Sequence, residues 1–167
     1  MLLPPFIFPP VAWFIQAAKN NQMHVAMGGF YEKQTYRNRY AIAGSNQIQN
    51  LTIPVQHTGE KKLLRDAKID FAENWKKQHL KSLQAAYGKA PFYEFYDYRI
   101  LPLFDGNNPL LAHFIEQSIR ILHKLLLPEI SLTFTHEIGL EIKLPDCPKY
   151  PQVFDDKCGF RGNLSAL

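Results

Sequence analysis

The patterning of the chain predicts an α/β fold, a mixed β-sheet packed by several helices, in a single domain over residues 1–167. Three observations carry that expectation. Short β-type runs recur at residues 23–27, 39–43 and 49–55, and a strongly periodic helical stretch follows Pro109. In addition, 46% of the 167 residues are hydrophobic, enough to bury a continuous core without disulfide or metal support.

Taken in order, Leu2 and Leu3 read as the remnant of a short strand before a proline-rich turn. A helix is predicted over residues 10–19, with Pro10 tolerated at its first position. It is apolar on nearly every side, which predicts cover by neighbours and places Val11, Trp13, Phe14 and Ile15 in the core. Asn20-Asn21 stops it. Gly44-Ser45-Asn46 supplies a turn between residues 39–43 and 49–55, so these two runs are predicted to form a hairpin. Residues 64–71 alternate around Ala67, Ile69 and Phe71 and predict a further strand.

Asn74 opens a predicted helix that runs through Tyr87, with Trp75, Leu80, Leu83 and Ala86 on one face and Gly88 as its stop. The aromatic segment after Ala90-Pro91, containing Phe92, Tyr93, Phe95, Tyr96 and Tyr98, is predicted helical. Gly106-Asn107-Asn108 breaks the chain. Beyond Pro109, the residues Leu111, Phe114, Ile115, Ile119, Leu122, Leu125 and Leu126 follow 3.6-residue spacing up to Pro128, so one helix face should pack on the sheet. Short β pieces at residues 131–135, 140–144 and Val153-Phe154 complete the expectation.

The formal charge of +4 favours a negatively charged partner, because a basic cleft concentrates anions. The charges are dispersed, clustering only at Lys61-Lys62 with Arg65 and at Lys76-Lys77 with Lys81. Nucleic-acid binding, which the positive charge and interleaved aromatics raise, therefore ranks below a small anionic ligand. The apolar N-terminal stretch lacks a basic region and carries Pro4, Pro5, Pro9 and Pro10, so it reads as a buried segment of a cytoplasmic protein, not a secretory signal or a membrane span. Cys147 and Cys158 are expected to be reduced thiols. The six histidines form no HxxxH or H-E-x-x-H pattern, so no metal is expected, and no cofactor is implied. GxSxG, Walker A and GxGxxG patterns are absent from the sequence.

The densest polar chemistry is Tyr31-Glu32-Lys33-Gln34-Thr35-Tyr36-Arg37-Asn38-Arg39, following Gly28-Gly29. It packs two guanidinium groups, an ammonium, two phenols and two amides into nine residues. If a strand begins at about Arg37, then Arg37 and Arg39 share a face, and paired arginines suit bidentate grip on phosphate or carboxylate. A solvated edge strand whose basic residues discourage aggregation is the competing interpretation. Trp75 and His79 lie one helical turn apart. His79 has the titration range of a general acid or base, although by pattern alone a hydrogen-bonded structural histidine is the commoner outcome. Tyr150-Pro151-Gln152 is a turn by composition and says little alone.

Together these stretches resemble the WbqC-like family. The resemblance starts at Leu3-Pro4-Pro5 and is most specific over residues 31–39 and at Leu51-Thr52-Ile53-Pro54-Val55. It continues through Asn74-Trp75 with His79, Ala86-Tyr87-Gly88-Lys89-Ala90-Pro91-Phe92-Tyr93-Glu94-Phe95-Tyr96, Tyr150-Pro151-Gln152-Val153-Phe154, Gly159-Phe160 and Asn163-Leu164-Ser165. It implies a bacterial cytoplasmic protein associated with O-antigen or other surface polysaccharides. The natural enzyme interpretation is a transferase acting on a nucleotide-activated or amino sugar. Arg37 and Arg39, with Lys33, Gln34, Tyr36, Asn38 and Gln152, would then bind substrate, while His79 or Tyr31 handles a proton. Tyr93 or Tyr150 would border the sugar or base. The resemblance also implies that the family's final helical segment is lacking, which puts a homo-oligomer among the expected partners. A non-catalytic binding or scaffold protein of a polysaccharide assembly pathway is the alternative, and it predicts an exposed apolar patch near Trp13 or the C-terminal segment.

Overall fold

The computed structural model describes residues 2–44, 47–57 and 59–137. In chain order it contains β1 (Leu2–Leu3), α1 (Val11–Lys19), β2 (Gln22–Ala26), β3 (Arg39–Ala43) and β4 (Ile48–Thr52). A 3-10 turn (Leu64–Asp66) follows, then α2 (Trp75–Tyr87), α3 (Tyr93–Ile100), α4 (Pro102–Asp105), α5 (Leu111–Leu126) and β5 (Ser131–Thr135). A three-stranded parallel sheet in the order β1-β2-β5 and an antiparallel β3-β4 pair give the mixed α/β class.

Registers fix which ends of the strands meet. Leu3 lies opposite Val25, and Ala26 lies opposite Thr135, so all three parallel strands finish on the same side. The central strand, β2, buries Met23 and Val25 on one face and Ala26 at its exit, while Gln22 is exposed and His24 half-buried on the other face. α1 packs against β2, α2 against β3, and α5 against the 3-10 turn and the α3–α4 pair. Trp13 closes the first loop onto this core, its indole N–H donating to the Pro4 carbonyl at 2.9 Å.

Two sequence expectations are corrected here. Val11 is 61% exposed and Ile15 only partly buried, whereas Trp13 and Phe14 are buried, because Val11 occupies the solvent side of the first turn of α1 and Ile15 follows it one turn later on the same side. Residues 64–71 do not form a strand. The segment opens with the 3-10 turn, then divides its backbone bonds between two neighbours: Ile69 N–H donates to Pro109 O at 2.7 Å and Asp70 N–H to Pro54 O at 2.9 Å. Its bridges to Val55 and Leu110 are isolated, so the alternation of Ala67 and Ile69 reflects burial without a ladder. The hairpin forms with β4 at Ile48–Thr52, and Gly44 N–H donates to Gln47 O at 3.0 Å across its turn. The pieces expected at 140–144 and Val153-Phe154, and both cysteines, lie outside the described residues.

Candidate anion-binding site

The carboxyl ends of parallel strands are where open α/β sheets bind ligands, because loops diverge there and leave a crevice. In this chain β1 exits into Pro4-Pro5, and β2 exits through Met27 into Gly28-Gly29 and the 31–39 turn. Met27 N–H still donates to Thr135 O at 2.7 Å, which ties the exit of β2 to the end of β5. The glycine at 28 has a steric reason. A Cβ there would fall well inside contact distance of the Glu137 carbonyl oxygen and 3.1 Å from that of His136.

Local hydrogen bonds build the turn. Thr35 Oγ1 donates to Glu32 O at 2.9 Å, and Asn38 and Arg39 N–H both donate to Thr35 O, at 3.1 and 3.0 Å. Gln34 takes a left-handed conformation, φ 61°, at the apex. Asn38 is buried and works as a clamp: its Oδ1 accepts from Gln34 N–H at 3.1 Å and its Nδ2 donates to Ile53 O at 3.2 Å. Asn38→Ala should leave both partners without this bond and lower stability by about 2 kcal/mol, measurable as a reduced urea midpoint at unchanged slope.

The turn is anchored to both neighbouring loops. Ile7 N–H donates to Tyr36 O at 2.8 Å, and the Phe6 and Tyr36 rings pack with centroids 4.9 Å apart. Tyr31 N–H donates to Lys62 O, and Leu64 N–H to Gly29 O, both at 2.9 Å. The strand proper starts at Arg39, so Arg37 belongs to the turn. Asn38, Tyr40 and Ile42 are buried and Arg37 and Arg39 are half-buried, but the expectation of a shared strand face required an extended chain from Arg37, and the bonds from Asn38 and Arg39 N–H to Thr35 O make that stretch a turn.

Four cations surround Phe30-Tyr31. Arg37 donates through Nη1 to Phe30 O and lies 3.8 Å from the Glu32 carboxylate. Arg39 is close enough to Tyr31 to oppose the rise in its phenol pKa, which burial nevertheless pushes up to about 12. Lys61 Nζ lies 4.1 Å from the Phe30 ring centroid, and Lys62 Nζ lies 6.0 Å from that of Tyr31. The arginine side chain at 37 is only 16% exposed, folded against the turn instead of extended into water. The lysine pair was visible in the sequence as a charge cluster but not as part of this site. Its placement depends on the isolated bridge between Phe30 and Leu63, a long-range pairing with no local signature.

The other expected site residues divide into four groups. Lys33 is exposed on the same turn. His79 is 2% exposed, with both ring nitrogens engaged. The Thr52 carbonyl can only accept, so Nε2–H donates to it at 3.2 Å, and Nδ1 accepts from the Tyr40 hydroxyl at 2.9 Å. Burial lowers the His79 pKa to about 4, against a smaller opposing effect of the Thr52 bond, so the ring is neutral at physiological pH. Tyr93 lines a different cavity of about 320 Å³ between α3 and β3. Tyr150 and Gln152 lie outside the described residues.

A small α/β protein with a basic turn at the carboxyl edge of its parallel strands is therefore what fold and geometry define. The chain belongs to the WbqC-like protein family, whose sequence profile matches residues 5–144. Comparison with curated proteins and with solved structures gives no match. Among the described residues, no helix is long and apolar enough to cross a membrane.

Proposed function

We propose that the chain is a cytoplasmic enzyme of surface-polysaccharide biosynthesis, of the O-antigen type, that binds a nucleotide-activated or amino sugar and carries out group transfer. The observation supporting this is the convergence of Arg37, Arg39, Lys61 and Lys62 on Phe30-Tyr31 at the carboxyl edge of the parallel strands. Such a cluster suits a diphosphate, whose charge a basic recess attracts and whose oxygens planar guanidinium groups can bridge.

In this reading Lys33, Gln34 and Tyr36 border the substrate on the turn, and Asn38 holds the turn in shape. Tyr31, protonated well above neutral pH, donates a hydrogen bond or a proton and does not act as a base. His79 is a positioning residue. It holds Thr52, the ladder partner of Arg39, and Tyr40, the next residue of the same strand.

A thermal-shift titration with a uridine diphosphate sugar tests the reading. Binding at about a hundredfold above Kd should add about 2.7 kcal/mol to stability. Arg37→Ala and Arg39→Ala should each remove most of the shift, while Lys124→Ala, an exposed change on α5, should retain it. Equal shifts in all four proteins would contradict the assignment.

The second reading, a binding or scaffold protein, draws on one observation. Phe92, just before α3, and Phe95, Tyr96 and Tyr98 on it are 69%, 66%, 49% and 58% exposed, a concentration of exposed rings that marks interaction surfaces. Of the two places where that reading expected its patch, Trp13 is buried and the C-terminal segment lies outside the described residues. Absence of any sugar-nucleotide shift, together with self-association that Phe95→Ser abolishes in analytical ultracentrifugation, would favour it.

A further inference from the structure

The cavity beside α3 differs chemically from the arginine turn. It is a half-open recess of about 320 Å³, within the range of small-molecule sites. Its walls include the rings of Phe8, Tyr40, Tyr87, Tyr93 and Tyr96, and Asp97 is its sole charged lining residue among those described. Tyr93 and Asp97 are one helical turn apart and so share a face of α3.

The space exists because α3 stands away from the core. None of its eight residues is fully buried, so its inner face borders the cavity where packed side chains would otherwise fill it. Phe8 enters from a left-handed backbone, φ 44°, and packs on Tyr40 with ring centroids 4.8 Å apart. A bulky residue in that conformation carries strain that surrounding structure must hold. Two phenols are already committed through their oxygens: Tyr40 donates to His79 Nδ1, and Tyr87 accepts from Ala43 N–H at 2.9 Å. Their rings still form wall surface.

Asp97 makes no side-chain hydrogen bond or salt bridge among the described residues. Its charge reaches Tyr93, whose phenol pKa is raised by burial and then by Asp97. An apolar box of aromatic faces with one carboxylate at its edge is complementary to a cation carrying a hydrocarbon or aromatic body. The ring faces attract the positive charge and the carboxylate hydrogen-bonds it.

We propose that this cavity binds a small organic ammonium ion with an apolar body, its charged nitrogen between Asp97 and the tyrosine rings. The site is opposite in charge to the anion site and shares none of its cationic residues, although Tyr40 adjoins Arg39 on β3. It neither requires nor excludes the polysaccharide reading.

Calorimetric titration of the full chain with three probes of the same body tests this: 2-phenylethylammonium, 2-phenylethanol and phenylacetate. The ammonium should bind, the alcohol should bind at least about tenfold more weakly, and phenylacetate should not bind. Asp97→Asn should reduce ammonium affinity by about tenfold or more while leaving the alcohol unchanged. Tyr96→Leu, at a half-exposed position that does not support the core, should weaken ammonium binding several-fold. Equal affinity for ammonium and alcohol would mean a merely apolar cavity and overturn the proposal. So would equal or better binding of phenylacetate, no ammonium binding at millimolar concentration, or ammonium affinity unchanged in Asp97→Asn.

Discussion

His79→Ala is expected to lower the unfolding free energy by about 3–4 kcal/mol at pH 7, combining a cavity in a packed ring cluster with two stranded hydrogen-bonding groups. The ring is packed among Tyr40, Trp75 and Phe104, with centroids 5.5, 5.1 and 6.1 Å away. Both nitrogens join α2 to the hairpin, one through the Tyr40 hydroxyl and the other through the Thr52 carbonyl. Urea denaturation of the wild type and the variant measures the loss.

The same residue dictates a pH dependence. In the unfolded chain His79 takes up a proton near 6.5, but in the fold only near 4. Between those values the unfolded state binds more protons, so stability rises with pH and falls as pH drops from 6.5 towards 4. Over the full window the loss from this one residue should be on the order of 2–3 kcal/mol, with the stabilising contribution complete above 6.5. Subtracting the pH profile of His79→Gln isolates it from the other histidines. Parallel profiles would show that His79 is not protected from protonation by the fold.

Gly28→Ala is the second large effect. The added methyl group would run into the Glu137 backbone carbonyl, and backbone cannot rotate aside as a flexible side chain can. Either the exit of β2 or the end of β5 must shift, at about 2–3 kcal/mol. Because the 31–39 turn hangs from that exit, anion binding should weaken in step with stability. Gly29→Ala is the matched control. Its Cβ would meet only the Arg37 guanidinium, at an ordinary 3.5 Å, so stability should stay nearly unchanged. Comparable melting points for the two variants would remove the steric argument.

The elements legible in the sequence were those whose signal is local. Periodicity identified α5, apolar composition with a proline start identified α1, and β-type runs with a glycine turn identified the β3-β4 hairpin. Residues 64–71 misled because alternating burial arises wherever a chain crosses a core, whether or not it joins a ladder. The parallel sheet order was not legible, since β2 and β5 are joined by more than a hundred residues and nothing in either strand names its partner. At the site, the arginine pair was readable as a local charge cluster, but a shared face was not, because Arg37 lies in the hydrogen-bonded turn before β3 begins and period-two alternation holds only in a strand. The lysines at 61 and 62 were not, because a distant bridge delivers them. His79 was readable as a turn-mate of Trp75, but its direction depended on Tyr40 and Thr52, which lie on another element.

The basic turn as an anion site is most directly tested by hydrogen-exchange mass spectrometry of the full chain with and without a saturating uridine diphosphate sugar. Slowed exchange should concentrate in the amides of residues 28–39 and in the Pro4-Pro5 loop leading to Ile7, which donates to the turn. Protection confined to other segments, or no change on adding the sugar nucleotide, would contradict the account.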